Sequence, residues 1–139
     1  MRNLFTSEPS EVSARMSLIR GRNTKPELAL FLALRNANIP FESHVRIGKV
    51  EVDAVVEGQL LIFVDSPFWH LRNDLLLERL SPYWKNRLLK NRARDRRTRR
   101  NLRQHGYSTL RLWADAIDEK KTIARISRAM ARLHHLTPR

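Results

Sequence analysis

The chain has 139 residues, of which 27 are Lys or Arg and 14 are Asp or Glu, so its formal net charge is +13. Its apolar runs, such as residues 60–64, are far too short to cross a bilayer, and its first residues have no apolar core of the signal-peptide type. The absence of cysteine excludes disulfides, thiol catalysis and zinc sites built on sulfur. We therefore expect a soluble, cytoplasmic protein that binds a polyanion, of which nucleic acid is the commonest. A membrane surface and a ribosome-type structural role are weaker alternatives.

The length suits one folded domain. The first dozen residues are typical of a flexible arm, so the domain would follow this arm (residues 1–12) and span residues 13–139. Thr24 with Glu27 three positions later has the pattern of a capping box, which predicts a helix from there to about Asn36.

Six further elements are predicted from apolar periodicity and turn signals. In chain order they are strands at Phe41–Val45, Val50–Val55 and Leu60–Val64, a helix from about Pro82 to His105, a strand at Ser108–Trp113 and a helix at Glu119–Leu133. Tight connections make the first three strands an antiparallel meander, and the strand–helix–strand passage sets the fourth strand parallel to its neighbour. The predicted fold class is α/β, with a mixed sheet flanked by helices on both faces.

Most of the positive charge lies in one segment, residues 85–103. This segment holds ten basic residues and one acid, Asp95, so +9 of the net +13 falls within 19 residues. No glycine or proline interrupts it, and Gly106 stands where a helix would end. A solvated face is the ordinary explanation of a charge run. A run of one sign repels itself at i,i+4, however, so we expect this helix to contact nucleic acid.

Carboxylates occupy unusual positions in the middle of the chain. Asp53 lies inside an otherwise apolar strand, and Asp65 follows the buried strand directly. Paired strands would bring the two together, and a hard cation satisfies buried carboxylates. His70 is close enough to act as a base or a ligand, and Glu27 can approach from the first helix. Beside a basic helix, this set favours metal-dependent cleavage of phosphodiesters.

Ordinary explanations compete with this interpretation. A single aspartate in a strand can cap a turn or pair with an arginine. Phe68 and Trp69 are of residue types that more often belong to the core than to a functional site. Glycine-rich phosphate loops, serine triads and helical metal motifs are excluded because the required spacings are missing.

Four segments carry a family pattern, and they span about three-quarters of the chain. They read SARMSLIRGRNTKPELAL, FESHVRIGKVEVD, LIFVDSPFWH and YWKNRLLKNRARDRRTRRNLRQHGYSTLRLW. The elements FVDSPFWH and NRARDRR are specific when they occur together. On these segments the chain resembles the very short patch repair (Vsr) DNA mismatch endonucleases, a branch of the PD-(D/E)XK nucleases. The resemblance implies a restriction-endonuclease-like fold.

The resemblance also implies roles in the chemistry. The metal ligands would be Asp53 and the backbone carbonyl of Val64, and the ion would be Mg²⁺. Asp65 occupies the position where the general nuclease fold has a lysine, and it stays a candidate metal ligand because it is a buried carboxylate near Asp53. The histidine that activates the attacking water would be His70. Two acidic positions that support the site in the family correspond here to Glu27 and Asp95.

Contacts with double-stranded DNA follow from the same resemblance. Phe68 and Trp69 match aromatic residues that insert between bases beside the mismatch, and Met16 matches a residue inserted from the other groove. A mismatched step is cheaper to unstack, which is a physical reason to prefer such sites. The DNA backbone would be held by residues of the basic helix: Lys85, Lys90, Asn91, Arg94 and Arg97.

Several positions depart from the family pattern. Val52 replaces a proline, Ser66-Pro67 replaces Gly-Cys, and the structural zinc of the family is not expected because no cysteine is present. The predicted function is Mg²⁺-dependent nicking of duplex DNA at or next to a mismatch, with T·G as the first candidate, by a monomer associated with the nucleoid. The alternatives are a restriction-like or structure-specific endonuclease with another substrate, and a DNA-binding module that has lost catalysis.

Overall fold

The computed structural model describes residues 24–70 and 72–136, without the side chains of residues 75, 76, 135 and 136. The predicted arm lies outside these residues. In chain order the elements are α1 (Lys25–Asn36), β1 (Glu42–Ile47), β2 (Val50–Val56), β3 (Leu60–Asp65), a 3₁₀ segment (Asp74–Arg79), α2 (Pro82–Gln104), β4 (Ser108–Trp113), a 3₁₀ turn (Ala114–Ala116) and α3 (Glu119–Leu136). Every predicted helix and strand is present, with bounds within three residues of those expected.

The four strands form one mixed sheet in the order β1-β2-β3-β4. β1 and β3 both run antiparallel to β2, and β4 runs parallel to β3. Apolar side chains of α1 and α3 pack on one face, and Leu102 of α2 packs on the other. The predicted fold class is therefore confirmed. Within the described residues, no helix is both long and apolar enough for a membrane span.

Local sequence signals determine where α1 begins and where the chain turns before β3. Thr24 and Glu27 form the predicted capping box at the start of α1. Glu57 and Gly58 both have positive φ, at 55° and 69°. Glycine adopts this conformation without steric cost, so the predicted turn can close the β2–β3 hairpin.

The buried stripe of α2 is polar at its centre. Its buried residues are Trp84, Leu88, Arg99 and Leu102, with Asp95 half-buried between them. Tyr83 and Ala93, although apolar positions of the same helix, are exposed. The helix is therefore packed by its two ends, and its middle presents charged side chains to the sheet.

The alternation of β2 changes at Asp53. Val50 and Val52 pack in the cluster on the α2 face, but Ala54 and Val56 pack on the α1 face. Asp53 itself hydrogen-bonds a residue of α1, so it and Ala54 both turn toward that helix. The regular alternation expected from the sequence is thus interrupted where the carboxylate lies.

Candidate active site

A cleft of about 330 Å³ opens where β2 and β3 separate. The two strands pair only between Ala54–Val56 and Leu60–Ile62. Beyond this pairing, the N-terminus of α1 and the middle of α2 form the other walls. The lining includes every residue predicted for catalysis or metal binding: Glu27, Asp53, Val64, Asp65, His70 and Asp95. Residues from two helices, two strands and the turn after β3 thus meet in one cleft.

Asp53 bridges the gap between the separating strands. Its Oδ2 accepts a hydrogen bond from the backbone N–H of Val64 at 2.7 Å. The N–H and C=O of one strand residue point to the same side, so the Val64 carbonyl also faces this gap. Its role as a metal ligand remains a prediction, and this geometry is compatible with it.

Glu27 reaches the cleft from the first turn of α1 and is only 7% exposed. Its Oε2 accepts hydrogen bonds from the backbone N–H of Thr24 at 3.0 Å and from its Oγ1 at 2.7 Å. The other oxygen, Oε1, lies 3.7 Å from Nε2 of His44. The helix cap therefore fixes one oxygen of Glu27 and leaves the second facing the cleft.

Asp53 holds a proton more tightly than an ordinary aspartate does. Burial raises the pKa of Asp53 to about 7, against the opposing effect of the Val64 N–H. The charge of Glu27, a hydrogen bond with it and the charge of Asp65 raise the pKa further. Two adjacent carboxyl groups resist ionising together. A cation bound between them would replace this proton.

His44 completes the first group of site residues, although the sequence patterns did not single it out. The β1–β2 hairpin closes through Ile47 and Val50, and counting back along both strands from that turn sets His44 opposite Asp53. Such a count is the signal that could have found it. Donor atoms of Glu27, His44 and Asp53 lie within 4.8 Å of one another, close enough to hold a metal ion.

Asp65 is held by arginine side chains. It is 4% exposed. Arg99 of α2 donates to its Oδ1 at 2.9 Å and lies 2.7 Å from its Oδ2, and Nε of Arg111 in β4 donates to Oδ2 at 2.7 Å. This is the arginine pairing weighed above as the alternative for a single aspartate. The role of Asp65 as a metal ligand remains a prediction, but two guanidinium groups already neutralise its charge.

His70 and Asp95 form a second titratable pair in the cleft. Nδ1 of His70 hydrogen-bonds Oδ2 of Asp95, and Nε2 lies 3.4 Å from Oδ1 of Asp65. Burial alone would raise the pKa of Asp95, but the hydrogen bond and charge of His70, together with two arginines, hold that pKa below its usual range. An ionised carboxylate only accepts hydrogen bonds, so Nδ1 is the donor. Nε2 is then the nitrogen that can accept a proton.

The aromatic residues predicted to insert into DNA differ in exposure. Trp69 is 4% exposed and packs with Trp84 and Leu88 between the turn and α2. It is a core residue, and a role in base insertion would require it to leave this cluster. Phe68 is only partly buried against the same cluster. Met16 lies outside the described residues.

The predicted backbone contacts lie on α2 and are at least partly exposed: Lys85, Lys90, Asn91, Arg94 and Arg97. Arg94 donates to Oδ1 of Asn91 at 2.8 Å, which holds both side chains together. The basic residues of α2 are not equivalent, because Arg92 pairs with Asp74 and Arg99 is buried against Asp65. The DNA contacts themselves remain predictions.

The fold and the carboxylate-lined cleft define a nuclease-like protein. The structure is similar to the catalytic domain of the homing endonuclease I-Bth0305I, with a TM-score of 0.52 and 19% sequence identity over 83% of this chain and 100% of that domain. This likeness concerns the fold alone, and it agrees with the predicted mixed α/β sheet. No family model matches the chain.

Two relatives define the family. The chain is 30% identical to the Type II nicking enzyme V.NaeI of Lentzea aerocolonigenes over 132 residues, which cover 89% of this chain and 77% of that enzyme. It is 30% identical to the Type II nicking enzyme V.XorIIP of Xanthomonas oryzae pv. oryzae over 102 residues, 70% of this chain and 75% of that enzyme. The chain belongs to this family of Type II nicking enzymes, and the prediction of a DNA endonuclease is confirmed.

Proposed function

We propose that the protein nicks one strand of duplex DNA at or next to a mismatch, as in the Vsr branch of these nucleases, and that it uses Mg²⁺. The observation that carries the proposal is the presence of two separate acid–histidine groups in one cleft beside a helix rich in arginine. Action as a monomer on nucleoid DNA is part of the same proposal.

The first group fits a hard divalent cation. Glu27 and Asp53 each have one oxygen fixed by a backbone N–H and a second oxygen left for a ligand. Oxygen donors of this kind suit Mg²⁺. Burial raises the pKa of Asp53, and the nearby charges of Glu27 and Asp65 raise it further. When bound there, the ion would stabilise negative charge on the reacting phosphate and orient it.

The second group moves the proton. Asp95 fixes the ring of His70 through Nδ1, which leaves Nε2 to take a proton from the attacking water. Asp95, whose lowered pKa keeps it ionised, stabilises the imidazolium that forms, and Asp65 lies 3.4 Å from Nε2. This arrangement of a base oriented by a carboxylate recurs in many hydrolases.

Replacing His70 with Gln removes the base and keeps a polar side chain. We expect the single-turnover nicking rate to fall by about 10²–10⁴-fold, the usual contribution of general-base catalysis. The double variant with Asp95→Asn should be no slower than His70→Gln alone, because Asp95 acts through His70. His134→Gln is the matched control, since His134 is exposed and pairs only with Glu57 among its described contacts. A normal rate in His70→Gln would contradict this role.

The two flanks of α2 should differ in their contact with DNA. Thr98 lines the cleft, and Arg94, one helical turn before it, lies on the same flank. Arg96 lies on the opposite flank, although it carries the same charge and is also exposed. Arg94→Ala should lower the log–log salt slope of duplex binding by about 0.9, the value for one lost phosphate contact. Arg96→Ala should change it less. Fluorescence anisotropy in EDTA over a series of KCl concentrations measures both, and equal slopes for the two variants would contradict this orientation.

The proposed specificity for a mismatch is tested by comparing duplex substrates. Phe68, the less buried of the two aromatic residues, is the side chain we assign to insertion, and Trp69 supports it from the core. Duplexes that differ only at one base pair, T·G against T·A or C·G, should be nicked fastest at T·G in Mg²⁺. If a matched, modified or branched duplex is nicked as fast as the T·G duplex, the mismatch is not the substrate, and the alternative of an endonuclease with another substrate is favoured. Binding without nicking of any duplex would instead support the inactive module.

A further inference from the structure

We propose that His44 is a direct ligand of the cation held by Glu27 and Asp53, and that its nitrogen biases the site toward Mn²⁺ over Mg²⁺. This inference rests on the proposed function, because it concerns the metal used in nicking. It adds a ligand from β1 to a site otherwise made of oxygen donors.

The backbone sets His44 in an unusual conformation opposite Asp53. Its φ is 51°, in the left-handed region that a non-glycine residue seldom adopts. The backbone turns here at the same level at which Asp53 leaves the alternation of β2. Both deviations direct side chains toward the N-terminus of α1.

Neighbouring side chains orient the imidazole. Phe31 packs against it edge-on, with ring centroids 5.7 Å apart and an interplanar angle of 85°. Nδ1 lies 3.5 Å from Oε1 of Glu51, and Nε2 lies 3.7 Å from Oε1 of Glu27. Metal-bound histidines usually have a carboxylate beside their other ring nitrogen, which fixes the tautomer. Glu51 is placed for that role, with Nε2 as the donor to the metal.

The available donor atoms have suitable spacing. One oxygen of Glu27 and one of Asp53 are fixed by Thr24 and Val64. The ligand atoms of Glu27, His44 and Asp53 lie within 4.8 Å of one another. Ligands about 2.1–2.3 Å from a common ion are at most about 4.5 Å apart, so small side-chain movements would suffice.

The second acid–histidine group is less suited to the ion. Asp65, His70 and Asp95 are equally close together. Arg99 and Arg111 already bind the oxygens of Asp65, and His70 donates to Asp95. These contacts already balance the charges of both carboxylates, so the group has no excess negative charge for a divalent cation. The first group, by contrast, has two carboxylates, and their described partners are backbone N–H groups, the Thr24 hydroxyl and the His44 imidazole.

The combination of carboxylate oxygens with one imidazole nitrogen is the reason for the proposed preference for Mn²⁺ over Mg²⁺. Carboxylate and carbonyl oxygens suit Mg²⁺, Ca²⁺ and Mn²⁺, whereas imidazole nitrogen suits transition metals. Among the ions that these oxygen donors suit, Mn²⁺ is the transition metal, so it is the one of the three that also accepts an imidazole nitrogen readily. Removing the nitrogen should therefore weaken Mn²⁺ binding more than Mg²⁺ binding.

Pulsed electron paramagnetic resonance of the Mn²⁺-loaded full chain tests the proposal. The wild-type protein should show ¹⁴N coupling from directly bound imidazole, replaced by ¹⁵N coupling when its histidines are ¹⁵N-labelled. His44→Asn should lose this coupling and bind Mn²⁺ about 10–100-fold more weakly, with Mg²⁺ affinity changed less. His70→Asn is the matched control from the second group and should keep the coupling.

Two results would overturn the proposal. The first is wild-type protein that nicks DNA in Mg²⁺ but shows no nitrogen coupling with Mn²⁺, which leaves the proposed function intact. The second is loss of coupling in His70→Asn with retention in His44→Asn. The labelled wild-type protein decides the presence of a nitrogen ligand even where a variant fails to fold. Absence of nicking in any divalent cation would count against the proposed function instead.

Discussion

Asp53→Asn is expected to abolish nicking and to make the cation-free protein more stable. The amide keeps an oxygen for the Val64 N–H, so the strand contact survives. It loses the charge that binds the cation, and loss of such electrostatic stabilisation costs about 10²–10³-fold in rate. The amide also no longer opposes Glu27, so a destabilising interaction disappears.

The stability effect should depend on pH with a definite sign. The pKa of Asp53 is about 7 in the folded protein and 3.8 as its reference value, so the folded state binds one more proton between these values. The free energy of unfolding contributed by Asp53 therefore falls as the pH rises from about 4 to about 7. Asn cannot titrate, so the variant should be the more stable protein above pH 7. A saturating divalent cation should reverse this order, because it stabilises only the wild-type fold.

Thermal melts over pH, with and without cation, measure this effect. Asp115→Asn is the control, since Asp115 is exposed and pairs with Arg72 at the surface. It should behave as wild type in both melts and nicking. An Asp53→Asn variant that nicks normally, or that is less stable than wild type above pH 7 without cation, would contradict the assignment.

Asp65→Asn is expected to have the largest effect on stability. Asp65 is 4% exposed and neutralises Arg99, which is itself buried, as well as Arg111. Breaking a buried ion pair by removing one partner typically costs about 3–5 kcal/mol, because a buried charge is left without compensation. α2 and β4 should consequently lose their polar link to the end of β3.

Urea denaturation measures this loss. Asp74→Asn removes an aspartate that pairs with Arg92 from α2 but is largely exposed, and it should cost no more than about 1 kcal/mol. Equal unfolding midpoints for the two variants would show that the Asp65 network does not hold the fold together. The double variant Asp65→Asn with Arg99→Gln should recover part of the loss, since it removes the uncompensated charge.

The elements and most of the site could be predicted because their signals are local. The capping box sets Glu27, the apolar run of β3 sets Asp65, and the turn after it sets His70. Hairpin pairing then brings Asp53 to the same end of the sheet. These signals operate over a few residues, where backbone geometry alone determines which side chains are neighbours.

Side chains that contact the site residues from distant parts of the sequence were harder to predict. Arg99 is one of ten basic residues in its segment, and only its spacing from Trp84, Leu88 and Leu102 marks it as buried. Arg111 comes from a separate strand. His44 belongs to no motif. Its position in the site depends on the register of the β1–β2 hairpin and on the break in alternation at Asp53. Burial of Trp69 likewise depends on α2 packing over the turn.

In the proposed mechanism Glu27, His44 and Asp53 hold the cation, and His70 with Asp95 moves the proton. Calorimetric titration of Mg²⁺ into wild type, Asp53→Asn and His70→Gln tests it most directly, alongside their nicking rates. Both variants are expected to lose nicking, but only Asp53→Asn is expected to lose cation binding. Unchanged Mg²⁺ affinity in Asp53→Asn, or equal losses in both variants, would contradict it.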